Sequence, residues 1–248
     1  MKSLAIIQAR ISSERLPGKV MMKIGDKTLL DRTIDSAHGA KMIEKVYVAT
    51  SNDSSDDILV DHLKNRNVLV YRGSLNNVFS RYYEIANEEK GAFGSIVRLT
   101  GDCPLLDPRV IDKTIEHHNK GSFEYTSTGL SKTFPMGQAV EVIDLPLFLS
   151  LDEKKLSKDD LEHVTRHIWK RPDSFRCGEI RYQNKKYPNS KELRITVDQI
   201  EDFQLVKKII EGLDYVNEKK VSIDDIVDYL YKNPELIEIN KYVKQVET

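Results

Sequence analysis

The sequence predicts an α/β protein with a mainly parallel sheet and helices on both faces. Short apolar runs typical of buried strands alternate four times with amphipathic helical segments before residue 120. The connections between them are only a few residues long, and no apolar run approaches the roughly 18 residues that span a membrane. In sheets of this class, ligands bind beyond the carboxyl ends of the strands. We therefore expect the functional residues in the loops that follow the strands.

The elements of the first half follow from local patterns. The run 4–9 is almost wholly apolar, as expected of a strand that is covered on both faces. The polar run 54–57 predicts a helix cap, and Val78, Tyr82 and Ile85 share one face of a helix. The predicted strands are 4–9, 45–50, 68–71 and 95–100, and the predicted helices are 29–37, 55–66, 77–90 and 108–119.

Beyond residue 120 the regular alternation ends. The predicted strands are 123–126, 138–143, 176–182 and 193–197, and the predicted helices are 161–170, 203–213 and 223–231. No repeat, low-complexity tract or linker interrupts the chain. We therefore predict one domain spanning 1–248, with an inserted arm at about 121–192 that serves dimerisation and acceptor binding.

Charge and cysteine content narrow the classes of function. The chain has 38 Lys and Arg against 39 Asp and Glu, so no broad electrostatic attraction favours nucleic acid or an anionic membrane. Its two cysteines cannot form a disulfide scaffold, which favours a reducing compartment. We expect a soluble cytoplasmic protein that binds neither nucleic acid nor membrane.

A cationic turn follows the first strand. Small and hydroxyl side chains let backbone N–H groups approach an anion, and the basic side chains add positive charge. The turn lacks the spacing of a Walker A loop and of a dinucleotide-binding fingerprint. It predicts a phosphate-binding loop, with an exposed basic turn as the alternative. Its residues are Arg10, Ser12, Ser13, Arg15, Gly18 and Lys19.

Two aspartates follow predicted strands far apart in the sequence. Asp102 lies between Gly101 and Pro104, which favour a sharp and stiff turn, and Asp198 follows the last strand. A pair of carboxylates facing a phosphate loop suits Mg²⁺, which is commonly held by one or two carboxylates and phosphate oxygens. The alternative for either residue is a turn or a helix cap, and Asp198 is well placed to cap the next helix.

These motifs resemble those of a known family. The segment 7–19, Ile-Gln-Ala-Arg-Ile-Ser-Ser-Glu-Arg-Leu-Pro-Gly-Lys, resembles the N-terminal signature of the cytidylyltransferases that make CMP-activated sugar acids. The segment 101–104, Gly-Asp-Cys-Pro, resembles their metal-binding turn. From about residue 3 to 213 the chain resembles the SpsF group of spore coat polysaccharide biosynthesis proteins. The resemblance implies a nucleotide-diphosphosugar transferase fold, CTP, Mg²⁺ and a homodimer.

The resemblance also assigns roles by position. It implies that Arg10, Arg15 and Lys19 hold the triphosphate and that Asp102 and Asp198 hold the metal. The implied nucleotide-binding residues are Ala9, through its backbone, and Ser12, Ser13, Gly18, Arg72, Gly73 and Arg81. The sequence departs from the sialic acid and Kdo enzymes after residue 120, and it has Thr196-Val-Asp198 where those enzymes have Asp-x-Asp.

A polar segment in the middle of the chain predicts the acceptor pocket. Glu162, His163 and Arg166 lie together, and an arginine suits the carboxylate of a sugar acid. A solvated helix face is the alternative. His163 and His167 have the spacing of a zinc pair, but the order His-Glu-x-x-His is absent.

The predicted reaction is transfer of CMP from CTP to an acidic sugar of the ulosonic or nonulosonic type, with release of pyrophosphate, in surface polysaccharide biosynthesis. Lys19, Arg15 and Arg10 are the predicted catalytic residues. The alternatives are a nucleotidyltransferase that uses another NTP or a phosphorylated or phosphonate acceptor, a GT-A glycosyltransferase, and a non-catalytic nucleotide-binding protein.

Overall fold

A seven-stranded, mostly parallel sheet forms the centre of the molecule and confirms the predicted fold class. The computed structural model describes residues 2–214 and 221–244. Strands lie in the order β5-β4-β1-β6-β8-β7-β9, and β2 and β3 form a separate small hairpin. The strands are β1 Ser3–Gln8, β2 Lys23–Ile24, β3 Lys27–Thr28, β4 Ile43–Ser51, β5 Leu69–Gly73, β6 Ser95–Thr100, β7 Tyr125–Ser127, β8 Glu141–Asp144 and β9 Cys177–Glu179.

Helices cover both faces of this sheet. In the part of the chain that the structure describes, no helix is long and apolar enough to cross a membrane. The helices are α1 Leu29–Gly39, α2 Asp57–Asn65, α3 Val78–Glu88, α4 Pro108–Gly121, α5 Leu145–Ser150, α6 Lys158–Glu162, α7 Arg166–Trp169, α8 Ile200–Gly212, α9 Ile223–Lys232 and α10 Pro234–Ile237.

Strand β1 is the central strand of the parallel part. It pairs with β4 on one side and β6 on the other, so its polar backbone groups are satisfied within the sheet. Side chains alternate between two apolar cores: Ala5 and Ile7 face one, and Leu4 and Ile6 face the other. This explains the nearly continuous apolar run in the sequence, because both faces of the strand are buried.

The middle of the chain extends the same sheet. Strand β8 pairs antiparallel with β6, and β7 and β9 continue the sheet beyond it. The residues predicted as an inserted arm thus contribute strands to the edge of the central sheet.

Two predicted elements are wrong. The helix expected at 161–170 is split into α6 and α7 by Val164, whose φ of 49° is incompatible with a continuous helix. The break buries Val164 and lets the hydroxyl of Thr165 donate to Glu141 at 2.8 Å. The strand expected at 193–197 is an extended segment with one isolated bridge, from Arg194 to Met136, and is not part of the sheet.

Candidate active site

The ammonium group of Lys19 lies inside a cage of three oxygen atoms. Its Nζ donates to Asp102 Oδ2, Val197 O and Asp198 Oδ1, each at a distance of 2.8 Å. The side chain of Lys19 is only 9% exposed, whereas that of Asp102 is 25% exposed. The structure therefore brings together three residues from the beginning, middle and end of the chain, and the Asp102 side remains open to solvent.

The turn that carries Asp102 depends on a close approach between β1 and β6. A side chain at Gly101 would place its Cβ 3.1 Å from Ala9 Cβ and 3.3 Å from the Gln8 carbonyl oxygen. The Gly101 N–H donates to that same carbonyl at 3.0 Å. Glycine thus lets the chain turn sharply after β6, and the turn directs the Asp102 carboxylate toward Lys19.

Asp198 is surrounded by three cations. Its Oδ1 contacts Lys19 at 2.8 Å and Arg15 at 2.9 Å, and its Oδ2 accepts from Arg194 at 2.6 Å. Burial alone would raise the pKa of Asp198, but the charge and hydrogen bonds of Lys19, the hydrogen bond of Arg194 and the charge of Arg15 outweigh it and hold that pKa below its usual value. The carboxylate is therefore ionised at neutral pH.

A third aspartate, to which the sequence analysis assigned no role, holds Asp198 in place. Asp202 is fully buried and accepts hydrogen bonds from the backbone of Asp198 and Gln199 at 2.9 and 3.0 Å. It also binds Arg194 Nε at 2.9 Å and Asn240 Nδ2 at 2.7 Å. Asp202 therefore stabilises the beginning of α8, and the Asp198 carboxylate faces the cage instead of capping the helix.

The predicted phosphate-binding loop is anchored by another residue that the sequence did not single out. The carboxylate of Asp56 is fully buried and accepts from the Ile11 backbone N–H at 2.7 Å. Its other oxygen accepts from Thr50 Oγ1 at 2.9 Å and from the Ser51 backbone at 3.0 Å. Asp56 was predicted only as part of a helix cap. It ties the loop to the end of β4.

The remaining residues of this segment differ in backbone conformation and exposure. Gly18 adopts a left-handed conformation with φ of 73°, which starts the short 3-10 turn at Lys19–Met21. The backbone N–H of Ala9 donates to the carbonyl of Ala49 at 3.2 Å, so the sheet already uses it. Arg10 and Ser13 are half-buried, and Ser12 is exposed. Their contacts with a nucleotide remain a prediction.

Arg72, Gly73 and Arg81 form one structural unit beside this loop. Arg72 donates to the backbone of Ser51 and Asp53, at 3.0 and 2.9 Å, and Arg81 donates to the backbone of the Ser74–Leu75 turn. A Cβ at Gly73 would lie 2.9 Å from Arg81 Cγ. Burial lowers the pKa of Arg81, and nearby Arg10 adds to that effect. These residues shape the end of β5, and their binding to a nucleotide is still a prediction.

The predicted acceptor residues lie where α6 meets α7. Glu162 is exposed and His163 is half-buried. Both terminal nitrogens of Arg166 are engaged, with Asp160 at 3.1 Å and Asp159 at 3.3 Å. Within 2–214 and 221–244 no cluster of three or more His, Cys, Asp or Glu residues forms a metal site. The role of this segment in acceptor binding remains a prediction.

The oxygen cage fits a divalent metal as well as an ammonium group. Two carboxylates and a backbone carbonyl converge on one point, and hard oxygen donors of this kind are what Mg²⁺ and Mn²⁺ prefer. Asp102 and Asp198 are the residues that would hold such a metal. Further ligands would come from phosphate oxygens and water, as is common for Mg²⁺ beside a nucleotide.

Arg15 and Lys19 of the cationic loop contact two converging carboxylates, and the comparison with known families adds an independent observation. Residues 4–233 match the family model described as Cytidylyltransferase. The chain belongs to the cytidylyltransferase family. It is a CTP-dependent nucleotidyltransferase. The spore coat polysaccharide biosynthesis protein SpsF of Bacillus subtilis is 31% identical over 237 residues, covering 94% of this chain and 95% of that protein.

Solved structures show the same architecture. A cytidylyltransferase from Leptospira borgpetersenii is 31% identical, with a TM-score of 0.86 and complete coverage of both chains. The CMP:2-keto-3-deoxy-manno-octonic acid synthetase complexed with CTP has a TM-score of 0.63 at 13% identity, covering 86% of this chain and 99% of that one. Rv0371c of Mycobacterium tuberculosis, in complex with manganese, has a TM-score of 0.57 at 13% identity, covering 84% and 99%. The two last likenesses concern the fold.

Proposed function

We propose that this enzyme transfers CMP from CTP to an acidic sugar of the ulosonic or nonulosonic type, with release of pyrophosphate, in surface polysaccharide biosynthesis. The observation that carries the proposal is the convergence of Lys19, Asp102 and Asp198 at 2.8 Å distances. The similarity to SpsF supports the polysaccharide pathway. The CTP-bound octonic acid synthetase of the same fold supports a sugar acid as acceptor.

The reaction in this proposal is an attack by an acceptor oxygen on the α-phosphorus of CTP. Such transfers depend on positioning and on stabilisation of negative charge. Arg15 is partly exposed beside Asp198, so it is available to contact the triphosphate, together with Arg10 and Lys19. Moving Lys19 toward a phosphate would free both carboxylates of the cage. The protein thus supplies cations for the leaving pyrophosphate without a covalent intermediate.

We propose Mg²⁺ as the metal that Asp102 and Asp198 hold. When bound beside the triphosphate, it neutralises phosphate charge and polarises the α-phosphoryl group. Asp102 suits this role because its carboxylate is a quarter exposed while it is directed by the Gly101 turn. The manganese bound by Rv0371c, which shares the fold, is consistent with a divalent cation.

The acceptor region and the assembly complete the proposal. Glu162, His163 and Arg166 are proposed to line the acceptor pocket, within an arm at about 121–192 that also serves a homodimer. Strands β7 to β9 place this region at the sheet edge next to β6, which leads to Asp102. A cytoplasmic location is proposed because CTP is a cytoplasmic substrate.

Pyrophosphate release, measured with each of the four NTPs over a panel of acidic sugars, tests the proposal. The expected result is release with CTP and at least one sugar acid, dependent on Mg²⁺. If only a phosphorylated or phosphonate acceptor supported turnover, the proposed acceptor class would be wrong and that acceptor class would take its place. Release of CMP or UMP from a nucleotide sugar would indicate a glycosyltransferase and would overturn the proposal.

A further inference from the structure

A second ionic cluster lies at the carboxyl end of the sheet, on the face opposite to the core that contains Ala5 and Ile7. Arg98 in β6 and Glu141 in β8 are direct partners in the antiparallel register and form a salt bridge. Their side chains retain 14% and 13% exposure, so both reach solvent although they lie between packed elements. Arg98 is also only four positions before Asp102.

The guanidinium of Arg98 is fixed on two sides. Its Nη1 binds Glu141, and its Nε donates to Gln8 Oε1 at 3.1 Å. Gln8 is the last residue of β1, directly before the phosphate loop, and also accepts from the hydroxyl of Tyr82 at 3.4 Å. The position of Arg98 is thus set by side chains at the edge of the nucleotide site.

The carboxylate of Glu141 accepts from three donors within the protein. One oxygen accepts from Arg98, and the other accepts from the hydroxyls of Tyr125 and Thr165. Thr165 belongs to the α6–α7 segment that is proposed to bind the acceptor. Glu141 therefore connects Arg98 to that segment, and its charge is paired within the protein.

Arg98 keeps unused hydrogen-bonding capacity in this cluster. Among the described residues, no atom accepts a hydrogen bond from Arg98 Nη2. This nitrogen is also not fully buried, so it retains some contact with solvent. A guanidinium N–H edge that reaches solvent donates to water and can donate to a ligand's carboxylate instead, which it binds with particular geometric selectivity. Arg166, by contrast, has both terminal nitrogens engaged by Asp159 and Asp160.

We propose that Arg98 is a specificity-determining residue that binds the carboxylate of the sugar acid through its Nη2 edge. The proposal rests on the proposed function and names the residue that distinguishes an acid from a neutral sugar. Glu141 and Gln8 hold the guanidinium, and its position beside both the phosphate loop and the α6–α7 segment places the acceptor between them.

The test compares binding of acids with binding of their neutral analogues. The probes are 3-deoxy-manno-octulosonate, N-acetylneuraminate and glucuronate, each paired with its carboxamide, titrated calorimetrically in the presence of CMP and Mg²⁺. We expect the wild type to bind at least one acid about 10- to 100-fold more tightly than its carboxamide, the range for a charge-assisted hydrogen bond. Arg98→Met should reduce that ratio to about threefold or less, since the donor is gone.

Two further variants keep the result interpretable. Arg98→Lys retains the charge beside Glu141 but loses the planar fork, so the ratio should fall only partly while the fold is preserved. Arg109→Met removes an arginine of α4 that lies outside the arm at about 121–192 and has a side chain 53% exposed, so it should leave the ratio unchanged. Thermal unfolding and CTP affinity, measured for each variant, establish that the protein is folded and that the nucleotide site is intact.

The outcomes separate this inference from the proposed function. A ratio that survives in a folded Arg98→Met, a loss of CTP affinity instead of acid affinity, or a wild type that prefers no acid would each overturn the role of Arg98. Failure of every acid to release pyrophosphate from CTP would refute the proposed reaction, while the binding ratio still reports on Arg98.

Discussion

The cage around Lys19 and the Arg98–Glu141 pair are both ionic clusters at the carboxyl end of one sheet, but they hold their cations differently. Lys19 has a compact ammonium group on a flexible stem, contacted by three oxygens from distant segments. Arg98 has a planar guanidinium that is fixed by its cross-strand neighbour and by Gln8. The first arrangement suits a cation that moves during a reaction, and the second suits a fixed recognition surface.

The largest effect on activity is expected when Asp102, the partly exposed carboxylate of the cage, is changed. Asp102→Asn keeps the size of the side chain but removes a charge that would hold the metal, so kcat should fall about 100- to 1,000-fold. The assay is pyrophosphate release over a Mg²⁺ titration. Asp61→Asn, on the exposed side of α2, is the matched control and should retain activity. An unchanged response of Asp102→Asn to Mg²⁺ would remove this residue from the metal site.

Loss of the ammonium group of Lys19 should have the next largest effect. Lys19→Met should reduce kcat/KM about 10- to 100-fold, because a charge-assisted hydrogen bond is lost. The same variant should bind Mn²⁺ more tightly without CTP, since the ammonium no longer competes for Asp102 and Asp198. Electron paramagnetic resonance of free Mn²⁺ measures this affinity, with Lys64→Met as the control. Near-normal turnover together with unchanged Mn²⁺ affinity would contradict the exchange of cations at the cage.

The pH dependence of stability reports on the buried side of the cage. The pKa of Asp198 is lowered in the folded state. Its ionisation therefore contributes fully to the free energy of unfolding above the unfolded-state pKa of about 3.9, and this contribution is lost as the pH falls through the folded-state pKa. Asp198→Asn should reduce the free energy of unfolding by about 1.5–3 kcal/mol at pH 7. Urea denaturation should show the two proteins converging below about pH 4. A gap that persists unchanged at pH 3 would mean that the charge of Asp198 is not what stabilises the cage.

The smallest effect is expected at Cys103, which follows Asp102 in the sequence but accepts no hydrogen bond from Lys19 or Arg98. Burial, together with the charge of Asp102, raises the pKa of this thiol to about 12, so it is protonated at neutral pH. Cys103→Ala should change kcat by no more than about twofold, well under 1 kcal/mol in barrier height. Iodoacetamide labelling of the native protein, followed by mass spectrometry, should leave Cys103 unmodified. Rapid labelling with loss of activity would show a reactive role that the structure does not predict.

The sequence predicted the residues of the Lys19 cage more completely than it predicted the Arg98–Glu141 pair. Arg15, Lys19 and Asp102 lie in turns that follow apolar strands. Their charges are not needed to form those strands, so the sequence alone points to a functional role. Arg98 and Glu141 lie within strands, and their pairing depends on the register of β6 and β8. That register is a long-range property, so local patterns do not contain it.

The supporting aspartates illustrate the same limit. Asp56 and Asp202 each lie in a helix-initiating sequence, where a capping role accounts for them without reference to the site. Only the folded chain shows that Asp56 also holds Ile11 and that Asp202 also holds Arg194. The break at Val164 was equally invisible, because its left-handed backbone follows from tertiary packing against local preference.

The bond from the Ile11 N–H to Asp56 has a consequence for how substrate enters. It fastens the start of the segment proposed to bind the triphosphate to the Asp56 carboxylate, which is itself hydrogen-bonded to the end of β4. The start of this loop is therefore ordered when the polypeptide folds, so the loop is preorganised before a nucleotide binds. Less conformational entropy would then be lost on association, so more of the proposed attraction between phosphate and arginine would be retained as affinity.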